Sequence, residues 1–157
     1  MLFTIVTVCF NSEKTIERTI QSVLHQTCQD YEYIIVDGAS TDKTMDIVRR
    51  YEPMFQGKMK WISEPDKGIY DAMNKGISKA SGDLIGIVNS DDYYEVDALE
   101  TIQQAYHGEK YEILYGMLRI VQNGKEIMVY LKNHENLKQD MIAHPSCFIT
   151  KEIYDKY

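Results

Sequence analysis

The chain has 157 residues, of which 44% are hydrophobic and 26% are charged. This length and composition predict one compact domain with a sizeable buried core. The 17 Lys and Arg residues stand against 24 Asp and Glu residues, which gives a formal net charge of -7. No run of basic residues forms a positive stripe that could contact a phosphate backbone, so we expect no nucleic-acid partner.

The first ten residues are apolar, but they lack a basic leader, are too short to cross a bilayer and end before Asn11. We interpret them as a strand and not as a signal or membrane segment. The three cysteines, Cys9, Cys28 and Cys147, are far apart in sequence and form no Cys-x-x-Cys spacing. Such cysteine usage predicts a reduced, cytoplasmic protein.

Up to about residue 110, short apolar segments alternate with segments of helical periodicity. The predicted strands cover residues 3–9, 33–36, 59–63 and 84–88. The predicted helices begin at Thr15 and cover residues 44–51, 69–80 and 96–107. We expect Asn11 and Ser12 to cap the first helix, and Ile69 to lie on the inward face of the third. The alternation predicts an α/β fold, a mostly parallel sheet flanked by helices.

Beyond about residue 112 the pattern predicts an antiparallel part. Strand-like runs over residues 113–121 and 126–131 flank Asn123-Gly124, which is a strong signal for a two-residue hairpin turn. The other predicted elements are a loop or short helix over residues 133–140, a strand over residues 146–150 and the start of a helix over residues 151–157.

Acidic residues follow three of the predicted strands, where an open α/β sheet binds its ligands. These residues are Asp37, then Glu64 and Asp66, then Asp91 and Asp92 beside Asn89. Crowded carboxylates repel one another unless a cation or a donor-rich ligand offsets their charge, and hard oxygen ligands suit Mg²⁺ or Mn²⁺. The pattern therefore predicts a divalent cation that is bridged to a phosphate ligand.

Each acidic segment also has a purely structural interpretation. Asp91 and Asp92 would serve equally to cap the next helix, and the string from Asp37 to Asp42 would form an ordinary polar turn. A tight turn would explain Asp66. His144 is the histidine best placed for a functional role, with packing of a loop as its alternative. The fingerprints of P-loop hydrolases and of Rossmann oxidoreductases are absent from the sequence.

Five strings in a fixed order resemble the family 2 glycosyltransferases. They are TVCFN (7–11), SVLHQT (22–27), VDGASTD (36–42), DKGIYDAMNKG (66–76) and NSDD (89–92). The resemblance is strong from Leu2 to about Tyr94 and thinner from there to Tyr157. It implies the Rossmann-like A-type glycosyltransferase fold, a nucleotide-sugar donor, a divalent metal ion and inversion at the anomeric carbon.

The resemblance also implies roles for individual positions. It places Phe10 and Asn11 at the nucleoside pocket, Asp37 on the base or ribose, and Asp66 as a second contact to the base. Asp91 and Asp92 correspond to carboxylates of the Asp-x-Asp motif, which hold Mg²⁺ or Mn²⁺ on the diphosphate and touch the ribose.

Three positions depart from the family pattern. Asn89 replaces the first Asp of the Asp-x-Asp motif, Gly38 replaces a second Asp that often follows Asp37, and Met73 replaces an Arg. The oxygens that ligate the metal ion, and some of the contacts to phosphate or nucleoside, are therefore left unassigned.

The function that the resemblance implies is metal-dependent transfer of a hexose-type sugar with inversion. The donor would be a UDP-sugar by family habit, and the acceptor a glycan or lipid-linked molecule of cell-surface polysaccharide biosynthesis. We expect a cytoplasmic protein, peripheral at the inner face of the membrane if the acceptor is lipid-linked. In the family the general base follows the segment that corresponds to residues 146–157, so we expect it beyond Tyr157.

The same argument predicts one glycosyltransferase domain over residues 1–157 that is truncated at its C-terminus. Residues 1–110 would form the nucleotide-sugar-binding half, and residues 111–157 would begin the acceptor half. Two alternatives stay open: a non-catalytic domain that binds nucleotide-sugar or carbohydrate, and a sugar-phosphate nucleotidyltransferase. The latter ordinarily has a Gly-rich, Arg-containing loop after its first strand, where this chain has CFNSE (9–13).

Overall fold

A six-stranded sheet organises the chain, for which the computed structural model describes residues 3–131, 134–136 and 142–157. The strands are β1 (Phe3–Cys9), β2 (Tyr31–Asp37), β3 (Met59–Ser63), β4 (Leu84–Ile87), β5 (Ile113–Tyr115), β6 (Leu118–Gln122), β7 (Lys125–Tyr130) and β8 (Cys147–Thr150). The α-helices are α1 (Ile16–Leu24), α2 (Thr44–Tyr51), α3 (Ile69–Ser78), α4 (Ala98–Ala105) and α5 (Lys151–Lys156). Short 3₁₀ turns cover Glu52–Phe55, His134–Asn136 and His144–Ser146.

The strand order in the main sheet is β3-β2-β1-β4-β8-β5. The first four of these strands are parallel, whereas β8 runs antiparallel to both β4 and β5. Strands β6 and β7 form a separate antiparallel hairpin. The predicted fold, a mostly parallel sheet followed by an antiparallel part, is confirmed.

The two central strands are buried along their whole length, which explains their continuous apolar sequence. Every residue of β1 and β2 is buried. Alternate side chains point to opposite faces of the sheet, and on one face Ile5 packs in a cluster with α1 and α2. On the other face Val6 and Val36 pack against Ala72 and Met73 of α3. Helices on both faces are the arrangement that a parallel sheet requires.

A buried carboxylate ties three strands together at the end of the sheet where α3 leads into β4. Glu32 accepts hydrogen bonds from Thr4 Oγ1 at 2.7 Å, from the Ser81 N–H at 2.6 Å and from Lys60 Nζ at 3.1 Å. Burial acts to raise the pKa of Glu32, but these hydrogen bonds, first that of the Ser81 N–H, hold the pKa below its usual value. The charged form therefore stabilises the fold.

Four local predictions fail for identifiable reasons. The side chains of Asn11 and Ser12 do not cap α1, which has no side-chain cap, because both bond to other loops. Ile69 is 49% exposed, since α3 packs on the sheet through its next turn. The predicted strand over residues 113–121 divides into β5 and β6, which belong to different sheets. The helix predicted from residue 96 begins two residues later, at Ala98.

Several smaller predictions are settled by the described residues. Cys9, Cys28 and Cys147 are all free thiols. Asn123 and Gly124 form the hairpin turn with φ values of 52° and 73°, the left-handed backbone that such a turn needs. Of the loop or short helix predicted over residues 133–140, residues 134–136 form a 3₁₀ turn, and the rest lies outside the described residues. Within the described ranges, no helix has the length and apolarity needed to span a membrane.

Gly76 permits the close approach of α3 to the sheet, and its replacement tests the packing. A Cβ atom at this position would lie 2.4 Å from Cγ1 of the buried Val6. We expect Gly76→Ala to lower the free energy of unfolding by about 1–3 kcal/mol in urea denaturation. Gly116→Ala is the control, because a Cβ there has no neighbour within 4 Å. Equal stabilities of the two variants would contradict this account of the packing.

The buried Glu32 leads to a second prediction, which concerns how the stability of the protein depends on pH. Because its folded pKa is lowered, Glu32 stabilises the protein above its unfolded pKa, and this contribution is lost as the pH falls through the folded pKa. Glu32→Gln should therefore cost about 1–3 kcal/mol at neutral pH, and the difference from wild type should shrink in acid. Urea unfolding across pH measures this, with the exposed Glu152→Gln as the control. A difference that is constant with pH would refute it.

Candidate functional site

An open cleft of about 760 Å³ lies where the segments that follow β1, β3 and β4 come together. Its lining includes Phe10 and Asn11 after β1, Asp66 after β3, and Asp91 after β4. The topology explains this convergence, because the carboxyl ends of adjacent parallel strands lie at one edge of the sheet. Four of the residues that were predicted to bind the donor thus share one opening.

Asp37 lies at the end of β2 and is fully buried. Its carboxylate accepts hydrogen bonds from Ser63 Oγ at 2.6 Å, from the Ser40 N–H at 3.0 Å and from the Ser40 hydroxyl. These bonds fasten the β2–α2 loop to β3. The structure thus shows Asp37 as a support for the cleft floor, and its contact with a base or ribose stays a prediction.

The thiol of Cys9 also donates to Asp37, over 3.6 Å. Burial, and after it the negative charge of Asp37, raises the pKa of Cys9 well above its usual value. A protonated, buried thiol is a poor nucleophile. Cys9 is therefore part of the core.

Asn11 connects the loop after β1 to the loop after β2. Its backbone is left-handed, with a φ of 49°, and its N–H donates to Ser40 Oγ at 2.8 Å. Its side-chain Oδ1 accepts from the Thr41 N–H at 2.9 Å. Ser12 makes a similar connection to the acidic turn, residues 89–92, where its hydroxyl lies 2.8 Å from that of Ser90. These bonds replace the helix cap that the sequence suggested.

The carboxylate of Asp66 and the ring of Phe10 meet over Gly38. A Cβ at Gly38 would lie 2.5 Å from Asp66 Oδ2 and 3.4 Å from Phe10 Cδ2, so glycine makes room for both side chains. Asp66 Oδ1 accepts from the Gly68 N–H at 2.8 Å, and Phe10 is 63% exposed. An exposed aromatic face beside a carboxylate suits a planar ligand that carries N–H donors.

Helix α1 holds the acidic turn in place through a hydrogen bond to its backbone. Thr19 Oγ1 donates to the backbone oxygen of Asp92 at 2.6 Å. Asp91 is exposed and lines the cleft, whereas Asp92 is half-buried. Burial and, after it, the adjacent Asp91 raise the pKa of Asp92. A positive charge on His144, when its ring is protonated, and a hydrogen bond from Asn89 oppose that rise. The two carboxylates are therefore unequal in exposure and in basicity.

Asn89 is the residue of the acidic turn whose contacts the sequence did not reveal. Its Nδ2 lies 3.5 Å from Asp92 Oδ2 and 3.2 Å from His144 Nε2. Its Oδ1 is buried and has no hydrogen-bond partner among the described residues. His144 stands 55 positions away in the sequence. The sequence singled it out as the histidine best placed for a functional role, but it did not reveal the contact with Asn89.

Asp91 and Asp92 offer a partial set of ligands for a divalent cation. Among the residues that the structure describes, no group of three or more His, Cys, Asp or Glu side chains could hold a metal ion. Mg²⁺ usually binds through one or two carboxylates and takes its other ligands from water and substrate phosphates. The two carboxylates fit a cation that is shared with a phosphate ligand, and they do not form an all-protein metal site.

Curated relatives of the chain are named glycosyltransferases. The PGL/p-HBAD biosynthesis glycosyltransferase of Mycobacterium tuberculosis is 34% identical over 118 residues, which is 73% of this chain and 46% of that protein. An uncharacterized glycosyltransferase of the same species is 41% identical over 91 residues, which is 57% of this chain and 34% of that protein. The chain thus spans about half of the length of these relatives, or less.

Solved structures share the fold. Staphylococcus aureus TarS 1–349 in complex with UDP has a TM-score of 0.78 at 22% identity, and the match covers 99% of this chain and 48% of that one. The mannosyltransferase PcManGT from Pyrobaculum calidifontis, in complex with GDP-Man and Mn²⁺, has a TM-score of 0.58 at 26% identity. That match covers 62% of this chain and 30% of the mannosyltransferase.

The match to a family model covers almost all of the chain. The model of glycosyl transferase family 2 matches residues 4–154, which include the cleft, the acidic turn and β8. The chain belongs to glycosyl transferase family 2 and has its A-type fold.

Proposed function

We propose that the chain is the donor-binding part of an inverting glycosyltransferase that transfers a sugar from a nucleotide-sugar to a glycan or a lipid-linked acceptor. The observation that carries the proposal is the cleft itself, which gathers Phe10, Asn11, Asp66 and Asp91 from the ends of three strands. Similar structures in complex with UDP-GlcNAc and with GDP-Man support a nucleotide-sugar as the ligand.

Phe10 and Asp66 would bind the nucleoside at one end of the cleft. The exposed Phe10 ring offers a face for stacking on a base. The Asp66 carboxylate can accept only hydrogen bonds when it is ionised, so it selects a base edge with an N–H donor, such as N3–H of uracil or N1–H of guanine. UDP is therefore the first donor nucleotide to test, and GDP the second.

Asp91 and Asp92 would hold the diphosphate end through Mg²⁺ or Mn²⁺. When bound, such a cation offsets the negative charge that develops on the leaving diphosphate. The chain contributes the position of these carboxylates, which Thr19 fixes through the backbone of Asp92. It also leaves Asp91 exposed to the cleft, where a shared cation can be reached.

The transfer requires an acceptor hydroxyl on the side of the anomeric carbon opposite the diphosphate. The new C–O bond forms as the bond to the diphosphate breaks, and the hydroxyl proton passes to a general base. We assign no base within this chain and place it, by the family pattern, beyond Tyr157. Residues 1–110 then form the donor half and residues 111–157 begin the acceptor half. Cytoplasmic action, at the inner membrane face for a lipid-linked acceptor, completes the proposal.

Calorimetric titration with UDP, in the presence and absence of Mn²⁺, tests the proposal directly. We expect saturable binding of UDP that strengthens with Mn²⁺, with GDP as the comparison nucleotide. Changing Asp91→Asn together with Asp92→Asn should remove the effect of Mn²⁺, a weakening of about tenfold or more, ~1.4 kcal/mol. The pair Asp46→Asn with Asp155→Asn is the control, because it makes the same charge change on α2 and α5. Metal-dependent binding that persists in the first pair would refute the metal assignment.

Gly38 provides an independent test of Asp66. In Gly38→Ala the new Cβ would meet Asp66 Oδ2 at 2.5 Å, so this carboxylate must turn away while the buried core is untouched. We expect Gly38→Ala and Asp66→Asn each to weaken UDP binding about tenfold. Because both changes act on one carboxylate, the double variant should be no weaker than Asp66→Asn alone. An Asp66→Asn variant that binds UDP as tightly as the wild type would show that Asp66 does not bind the base.

A further inference from the structure

Strand β8 brings the acceptor half of the chain to the edge of the sheet that carries the cleft. It runs antiparallel to β4, with Phe148 opposite Gly86. The residues before β8 therefore lie beside the residues after β4. This register places the 3₁₀ turn His144–Ser146 next to the acidic turn, residues 89–92, although the two segments are far apart in sequence.

The turn that carries His144 is itself held in place. The Ser146 N–H and the Ser146 hydroxyl donate to the backbone oxygen of Ala143 at 3.1 Å and 2.9 Å. The Gly116 N–H, beyond the end of β5, donates to the backbone oxygen of Ser146 at 3.0 Å. His144 is therefore presented to the acidic turn from a turn that is closed by its own hydrogen bonds and joined through Ser146 to the residue after β5.

The contact between the two turns passes through one amide group. Asn89 Nδ2 lies between His144 Nε2 at 3.2 Å and Asp92 Oδ2 at 3.5 Å. An amide nitrogen can only donate, so His144 Nε2 accepts, and in the neutral ring the proton is then on Nδ1. With Nδ2 directed at these two acceptors, the orientation of the whole amide is determined.

That orientation leaves Asn89 Oδ1 buried and without a partner in the described part of the chain. A buried acceptor without a donor is costly. If the amide were reversed, Oδ1 would gain a possible donor in His144 but would face the carboxylate of Asp92. The interaction of Nδ2 with His144 and Asp92 together thus outweighs the unpaired oxygen.

We propose that His144 is a positioning residue of the donor site, which fixes the Asn89 amide and through it the carboxylate of Asp92. The inference rests on the proposed function, because it concerns the carboxylate that would share a cation with the diphosphate. It also gives a role to the Asn that replaces the first Asp of the family motif. An Asp at position 89 has no N–H to place between His144 and Asp92.

The first test needs no nucleotide. In NMR spectra of the ligand-free chain, we expect the neutral ring of His144 to carry its proton on Nδ1. The side-chain amide signals of Asn89 should shift in His144→Ala and return toward the wild-type positions in His144→Gln, whose Oε1 can accept the same hydrogen bond. Amide signals that are unchanged in His144→Ala would overturn the proposal.

The second test is titration with UDP in the presence of Mn²⁺. We expect His144→Ala to weaken binding about tenfold, the size of effect that partners of ligating residues commonly have, and His144→Gln to restore most of it. In an Asn89→Ala background, His144→Ala should add little, because the histidine acts through the amide. His25→Ala, which removes an exposed histidine at the end of α1, is the control.

The outcomes separate this inference from the proposed function. If wild type binds UDP with Mn²⁺ and His144→Ala binds equally well, the positioning role is wrong and the donor site stands. If the losses from Asn89→Ala and His144→Ala add, His144 does not act through the amide and the inference is also wrong. If wild type binds neither UDP nor GDP, the proposed function fails, while the Asn89 amide signals still decide whether His144 positions the acidic turn.

Discussion

The burial of β1 and β2 on both faces is the constraint on which the rest of the structure depends. No residue of these strands reaches solvent to a significant extent, so helices must cover the sheet above and below. Polar side chains of the sheet that a ligand can reach are then confined to the segments where the strands end. The cleft is a consequence of this arrangement, because the loops at the carboxyl edge are the remaining place for groups that a ligand must reach.

The short polar side chains of these loops have two roles: some hold the loops together, and others are exposed to the cleft. The side-chain oxygens of Asp37 and Asn11 accept hydrogen bonds from backbone and hydroxyl groups of neighbouring segments. These bonds fix the loops without help from a ligand. Asp66 and Asp91 project into the cleft that these loops form. A site built in this way is largely preorganised, so that less binding energy is lost in ordering loops when a ligand arrives.

The sequence predicted those features that depend on local pattern or turn chemistry. The bounds of β1 and β3 were correct, and Asn123-Gly124 marked the hairpin turn. It could not predict features that arise from packing between distant segments. The inward face of α3 is set by the approach of Gly76 to Val6, which leaves Ile69 at the cleft. In the same way, Asp66 and Asp91 could be named from their place after strands, but the Asn89 amide between two partners could not.

The position of β8 in the sheet fixes the place of the antiparallel part of the chain beside the parallel strands. A strand at the edge of a sheet can be displaced by breaking one ladder, whereas β8 is paired with β4 on one side and with β5 on the other. The start of β8 therefore cannot move away from the end of β4 without the loss of both sets of backbone hydrogen bonds. The sheet itself thus holds the segment before β8 beside the carboxylates of the acidic turn. A ligand that reaches the acidic turn from the side of β8 and β5 therefore meets a turn beside a strand whose position is fixed by backbone pairing on both sides.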